Sequence, residues 1–256
     1  MIALGYFGAA VMGVTLGLLG GGGSILAVLI FAYLFNVSAT AATYYSLFIV
    51  GVCSAIGVIP FAQRRLVEVK TALLFFVPAA IGVFFSRRII LPRLPENKDM
   101  IILVAFAIVM LAASWSMIRK KAPAKIHMKK NHLGRITLNG VGVGIATGFV
   151  GAGGGFLIVP ALVNGIGLSM EKAVGTSLFI IALNSLSGFT GDLIAGIPVQ
   201  WNLVLPFLCV ALVGMVAGTH LNRFVSSIKL KSIFGWFVLT LGSLIIIKQF
   251  LELTDF

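Results

Sequence analysis

Charge is what this 256-residue chain has least of: 10% of its residues are Asp, Glu, Lys or Arg, while 59% are hydrophobic. A soluble domain carries about a quarter charged residues, so the composition excludes a water-soluble fold and places the chain in a membrane. Apolar stretches long enough to span recur from end to end and leave no room for a separate soluble domain. Acids are scarcer still, seven in all, and none lies near the centre of an apolar stretch. That excludes the intramembrane carboxylate relay of a proton-driven carrier. Residues 1–63 contain no Lys or Arg, so a charged signal-peptide start is missing and the first apolar stretch is expected to stay in the mature protein. Histidine is limited to His127 and His132 in a basic connector and His220 near a span end. With no nucleophile–base pair and no metal spacing, neither an enzyme nor a cofactor is expected. Cys53 and Cys209 lie far apart inside apolar spans, which excludes a disulfide framework and makes both small buried hydrophobes.

Glycine is what the chain has in place of charge. One run reads Gly17-Leu-Leu-Gly-Gly-Gly-Gly-Ser24, and a second reads Gly148-Phe-Val-Gly-Ala-Gly-Gly-Gly155. Each glycine costs a helix interior about 1 kcal/mol relative to Ala, so a cluster of them breaks a helix. Inside hydrocarbon the freed N–H groups cost several kcal/mol each unless something fills them. Residues 3–35 form one apolar stretch, too long for a single span and too short for two. A hairpin or split helix follows, with arms at 3–19 and 24–35 and Ser24 as the N-cap of the second arm. Spans are then expected at 40–62, with Ser38 as N-cap, at 71–85 and at 100–118, the last carrying Trp115 for the interface.

The second half repeats the first. Gly13, Gly17, Gly20, Gly22, Gly23, Ser38, Ser46 and Ser54 meet identical residues 131 positions on, at Gly144, Gly148, Gly151, Gly153, Gly154, Ser169, Ser177 and Ser185. One inserted residue moves the offset to 132, where Val67, Leu73, Phe75 and Gly82 meet Val199, Leu205, Phe207 and Gly214. The chain therefore reads as an all-α polytopic membrane protein of two homologous repeats, 1–118 and 136–256, joined by a basic connector at 119–135. Each repeat is a glycine-broken hairpin or split helix plus three transmembrane helices. Seven of the nineteen basic residues lie in that connector, which contains no acid. This makes it a cytoplasmic loop of a multi-pass protein in the cell membrane, with anionic lipid headgroups as neighbours and no nucleic-acid partner. If the glycine element turns back, the halves are inverted; if it crosses, they are parallel. Arg223, Lys229 and Lys231 in 219–231, against Asp192 alone in 191–202, favour inversion, whereas the four basic residues of 86–98 count against it.

At membrane depth only glycine loops, hydroxyls and a few amides remain. A half-helix starting at Ser24 or near Gly155 aims its free N–H groups and positive dipole end back at the loop, which suits an anion. Discontinuous helices paired across a repeat axis build midplane sites in transporters. The expected site is Gly20, Gly21, Gly22, Gly23 and Ser24 facing Gly151, Gly153, Gly154 and Gly155. Counting down from Ser38 places Ser46 at about the depth of the loop, with its mate Ser177 matching it. Thr43 and Thr176 lie nearby, and Asn184 and Ser185 about two turns further on. Gly13, Gly57, Gly82, Gly188 and Gly214 read instead as close-packing positions, and Tyr44 and Tyr45 as packing or interface aromatics.

Two copies of a G-x-x-G-x-G-G-[GS] run, each followed by an apolar arm and then Ser-Leu-Phe (Ser46–Phe48, Ser177–Phe179), resemble the TauE/SafE sulfite-exporter family of membrane permeases. The second copy, with Val159-Pro160, is the closer match; the first has Leu29 in place of that proline. The resemblance implies transport of sulfite, sulfonates such as sulfoacetate, or other small organic anions. An anion channel using the same loops and a non-transporting membrane scaffold are the alternatives. A homodimer is left open, as are the anion, the direction of transport and the coupling ion.

Overall fold

The computed structural model describes residues 2–21, 23–86, 89, 93, 107–108, 111–112, 114–115, 118, 132–150, 155–194 and 198–254. Gly22, most of 86–106, most of the span expected at 100–118, connector residues 119–131 and the second glycine run at 151–154 lie outside the described residues. Every element among the described residues is helical.

The first glycine run is the turn of a hairpin. Helix α1 (Ile2–Leu19) ends at it and α2 (Gly23–Tyr33) leaves it. The two arms pack antiparallel: a Cβ on Gly5 would meet the ring of Phe35, one on Gly8 would meet Ile30, and one on Gly23 would meet Leu16 and the Met12 carbonyl. Their 18 and 11 residues give lengths of about 27 and 16 Å. Because α2 already begins at Gly23, Ser24 lies in its first turn and not at the cap expected for it. The loop after α2 turns at Asn36, which has a φ of 51°. Ser38 then caps α3 (Ala39–Gln63) as expected, its side chain accepting from Ala41 N at 3.4 Å. Helix α4 (Val69–Phe85) follows.

A second set of helices begins at His132. Helix α5 (His132–Val150) leads to α6 (Gly155–Pro160), which continues as π-helical turns through Ala161–Ile166. Pro160 has no N–H for the regular ladder, and the wider turns begin directly after it. Gly167, at φ 89°, ends the arm by donating to Leu162 O. Helices α7 (Met170–Ile194), α8 (Trp201–Leu221) and α9 (Ser227–Thr254) complete it. Helix α7 starts 131 residues after α3, and α8 starts 132 after α4.

The two halves interlock in a reciprocal way. The broadest packing pairs α1 with α8, α4 with α5, and α3 with α7. In the first two pairs the chains run parallel: Gly13 and Gly17 of α1 abut Ala211 and Met215 of α8, while Gly140 and Gly144 of α5 abut Phe75 and Ala79 of α4. Added Cβ atoms at Gly13, Gly82 and Gly214 would strike backbone of the facing helix, and at Gly188 the nearest atom is Leu47 Cδ1. These glycines therefore serve close packing, as read from the sequence. In the third pair the chains are antiparallel, with Leu47 against Gly188, Gly51 against Leu186 and Phe61 against Gly175.

Helices Ala41–Gln63, Met170–Ile194 and Trp201–Phe224 are each long and apolar enough to cross a membrane. Their outer faces and those of shorter neighbours carry exposed aliphatic and aromatic side chains at helical spacing, such as Leu73, Val77, Ile81 and Phe84 on α4. Rows of that kind suit lipid and not water. Cys53 is buried as expected, but Cys209 is exposed on the outer face of α8. Helical spacing alone did not fix which way that residue pointed.

Candidate functional site

The break at the end of α1 is built so that its carbonyls are used within the protein. Gly20 takes φ +73°, a conformation glycine reaches without steric cost, and its N–H closes α1 on Leu16 O at 2.8 Å. Two of the last carbonyls then receive side chains from the other half of the chain. Asn222, just past α8, donates through Nδ2 to Leu18 O at 2.7 Å. Ser177 on α7 donates through Oγ to Gly20 O at 2.6 Å, with Val174 O at 2.8 Å as its own-helix alternative. At membrane depth such capping removes a cost of several kcal/mol for each orphan group.

The donor side of the break is different in kind. The first N–H groups of α2 have no partner within their own helix and point back into the turn, where the positive end of the helix dipole also lies. The second break arrives from the opposite side. A Cβ on Gly155, the first residue of α6, would lie 2.8 Å from Gly21 O and 2.7 Å from Ile181 Cδ1. Backbone meets backbone at this point, and only a residue without a side chain fits. Among the described residues the buried polar side chains are hydroxyls and one amide, with no Asp, Glu, Lys or Arg. Negative charge entering here would find dipoles and N–H groups and no fixed counter-charge.

The expected site residues separate into groups. Gly20, Gly21, Gly23, Gly155 and Ser177 are brought together, and all are buried. Gly22, Gly151, Gly153 and Gly154 lie outside the described residues, as does the side chain of Ser24. Thr176 is buried one residue from Ser177, but its Oγ1 accepts from Glu68 N at 3.0 Å, at the turn between α3 and α4. Ser46 is fully buried, and Thr43 and Asn184 are half-buried. Ser46 and Ser177 are not level with each other. Each lies seven residues beyond the start of its own helix, Ala39 or Met170, and the two helices run antiparallel. The register puts Ser46 opposite Thr190, and hence about 20 Å from Ser177 along the helix pair.

Two residues that stand out in the structure were not singled out from the sequence. Asn222 gave no signal, since it is a lone amide more than two hundred residues from the carbonyl it caps. Ser54 had only its identity with Ser185 at the repeat offset. In the structure the hydroxyls of Ser54 and Ser185 are buried without a hydrogen-bond partner, as is that of Tyr44. The ring of Tyr44 stacks on Phe189 with centroids 4.8 Å apart, and Tyr45 OH accepts from Gln200 N at 3.2 Å. Both tyrosines thus have the packing role expected of them.

Comparison with known proteins agrees with this architecture. The family model described as sulfite exporter TauE/SafE matches residues 5–245. A probable membrane transporter protein of Xylella fastidiosa (strain Temecula1) is 29% identical over 94% of both chains, and one from strain 9a5c is similar to the same degree. The probable membrane transporter protein YdhB of Bacillus subtilis is 24% identical, covering 86% of this chain and 90% of its own. No solved structure matches the chain. With a helical hairpin broken at glycine, membrane-length helices and a family match over nearly its whole length, the chain belongs to the sulfite exporter TauE/SafE family.

Proposed function

We propose that this membrane transporter is a secondary carrier of small sulfur-containing or organic anions, with sulfite and sulfonates such as sulfoacetate as the leading substrates. The anion is held between the two glycine breaks by backbone N–H groups and hydroxyls, and access alternates between the two halves. One observation carries the reading. At the first break the carbonyls Leu18 O and Gly20 O are capped by Asn222 and Ser177, while the N-terminal turn of α2 faces a second helix start at Gly155. With these two acceptors occupied, the N–H groups at the start of α2 are the donors an oxyanion would meet. Binding by dipoles without a buried cation also leaves the anion free to depart, as transport requires.

Inverted repeats are supported by the packing directions. Helix α3 and its counterpart α7 are antiparallel, and each parallel pair joins the first helix of one half to the fourth of the other. A two-fold axis lying in the membrane plane produces that pattern. Starting α5 from a cytoplasmic connector at 119–135 then puts the start of α1 and residues 198–200 outside, and residues 64–68 and 222–226 inside. Arg64, Arg65 and Arg223 fall on the inner side, in keeping with the positive-inside rule.

The test is sulfite and sulfoacetate flux in proteoliposomes containing the purified chain. Saturable uptake that is accelerated by unlabelled anion on the opposite side is the expected result. Large unitary currents would indicate a channel, and an absence of flux for every sulfur oxyanion tried would leave a scaffold.

A further inference from the structure

We propose that Ser54 and Ser185 form a two-hydroxyl subsite, one from each half, that binds the oxygens of the transported anion at the middle of the membrane. The inference rests on the anion-carrier reading of the glycine breaks and names side chains that this reading does not use. Both residues are 0% exposed, and both hydroxyls are buried without a partner. Among the described residues they share that state with Tyr44 and with Ser86 at the end of α4, but other hydroxyls in the helices are bonded. Thr15, Ser114, Thr147 and Thr219 each donate to the carbonyl three residues back on their own helix. Ser54 and Ser185 have such carbonyls nearby and do not use them. A buried hydroxyl with no bond is costly to keep unless some state of the protein gives it one.

Position supplies the second argument. Each serine is the sixteenth residue of a 25-residue helix, Ala39–Gln63 or Met170–Ile194. Because these helices are antiparallel, with Gly51 against Leu186, the two serines fall within one turn of the same level. Ser46 and Ser177, thirteen residues apart in the same register, cannot reach one small ion together. The face is the right one as well. On α7, Ser177, Ile181 and Ser185 follow one another at intervals of four, the first bonded to Gly20 and the second seated on Gly155. Ser46, Val50 and Ser54 repeat that spacing on α3, all buried. The register places Ile181, and with it the contact between Gly155 and Gly21, level with Ser54. A tetrahedral oxyanion at the glycine breaks presents several acceptors, and two inward donors from opposite helices complement the backbone N–H groups. Each hydroxyl gains its partner when the anion enters.

The experiment is ligand-dependent thermal unfolding of the purified full chain in detergent, titrated with sulfite and with sulfoacetate. Ser54→Ala, Ser185→Ala and the double variant are compared with the parent. Neither serine makes a bond without ligand, so the variants should unfold at or above the parent's temperature in its absence. Each should weaken apparent affinity about tenfold, and the double variant more, as expected for loss of a hydrogen bond to a charged group. If an alanine variant is poorly folded, Ser54→Cys and Ser185→Cys keep the volume, lose most of the donor strength and should show the same weakening. Parent-like affinity in the folded double variant, with the parent itself binding, would overturn the subsite and leave the carrier reading intact. No saturable shift in the parent with any sulfur oxyanion would overturn both.

Discussion

The two ends of the α3–α7 pair do the same backbone work with different chemistry. At one end Glu68 N donates to Thr176 Oγ1; at the other Gln200 N donates to Tyr45 OH. Glu68 and Gln200 are 132 residues apart, Tyr45 and Thr176 are 131 apart, and the two bonds are counterparts under the repeat offsets. Their surroundings are not alike. The first end adds an ion pair between Lys172 and Glu68, whose side chains are 42% and 39% exposed. The second adds a cluster of rings: Tyr44 stacked on Phe189, Phe48 tilted against Phe189, and Tyr45 and Phe48 edge-on to Phe31 and Trp201. An exposed ion pair contributes about 0–1 kcal/mol, while each buried aromatic pair contributes about 0.5–1.5 kcal/mol beyond its buried area. The same pair of backbone bonds is therefore reinforced weakly by charge at one end and more strongly by aromatic packing at the other. In a carrier this difference would bias which end opens first.

The difference should be largest at Phe189, which is 6% exposed and touches both Tyr44 and Phe48. Phe189→Ala is expected to cost about 3–5 kcal/mol, read as a lowered unfolding temperature in detergent. A loss below about 1 kcal/mol would remove the distinction between the two ends. The paired hydroxyls come next. Tyr45→Phe orphans the Gln200 N–H and Thr176→Val orphans the Glu68 N–H, each at about 1–3 kcal/mol. Matching losses would support the equivalence of the two bonds, while a large loss in one and none in the other would break it. The smallest effect belongs to Glu68→Gln. It should cost about 1 kcal/mol or less, and that loss should vanish when parent and variant are compared in high salt. A salt-independent loss of several kcal/mol would show that the polar end is no weaker than the aromatic one.

Much of the frame could be read from the residues. Glycine clusters break helices wherever they fall, so the arms at 3–19 and 24–35 agree closely with Ile2–Leu19 and Gly23–Tyr33. Ser38 caps α3 because a serine before an apolar run has a local donor three residues on. The site was legible only in part, since its geometry depends on contacts across the halves. Ser177 was chosen for its depth, but what fixes its role is the carbonyl of Gly20, 157 residues away. Asn222 reaches Leu18 over 204 residues, a distance that no local pattern spans. Ser46 and Ser177 lie equally far into their own helices, but antiparallel packing separates them by about 20 Å along the pair. Ser54 and Ser185 matched across the offset, and it took burial without a partner, together with their shared level on α3 and α7, to set them apart from ordinary packing serines.

Gly155 offers the most direct test that the two breaks meet to hold an anion, because a side chain there must enter the space beside Gly21 O. Sulfite counterflow should be measured in proteoliposomes for Gly155→Val, in protein that elutes and unfolds as the parent does. Loss of at least nine-tenths of the saturable flux is the predicted result. Parent-like flux from a folded Gly155→Val protein would contradict an anion site between the glycine breaks.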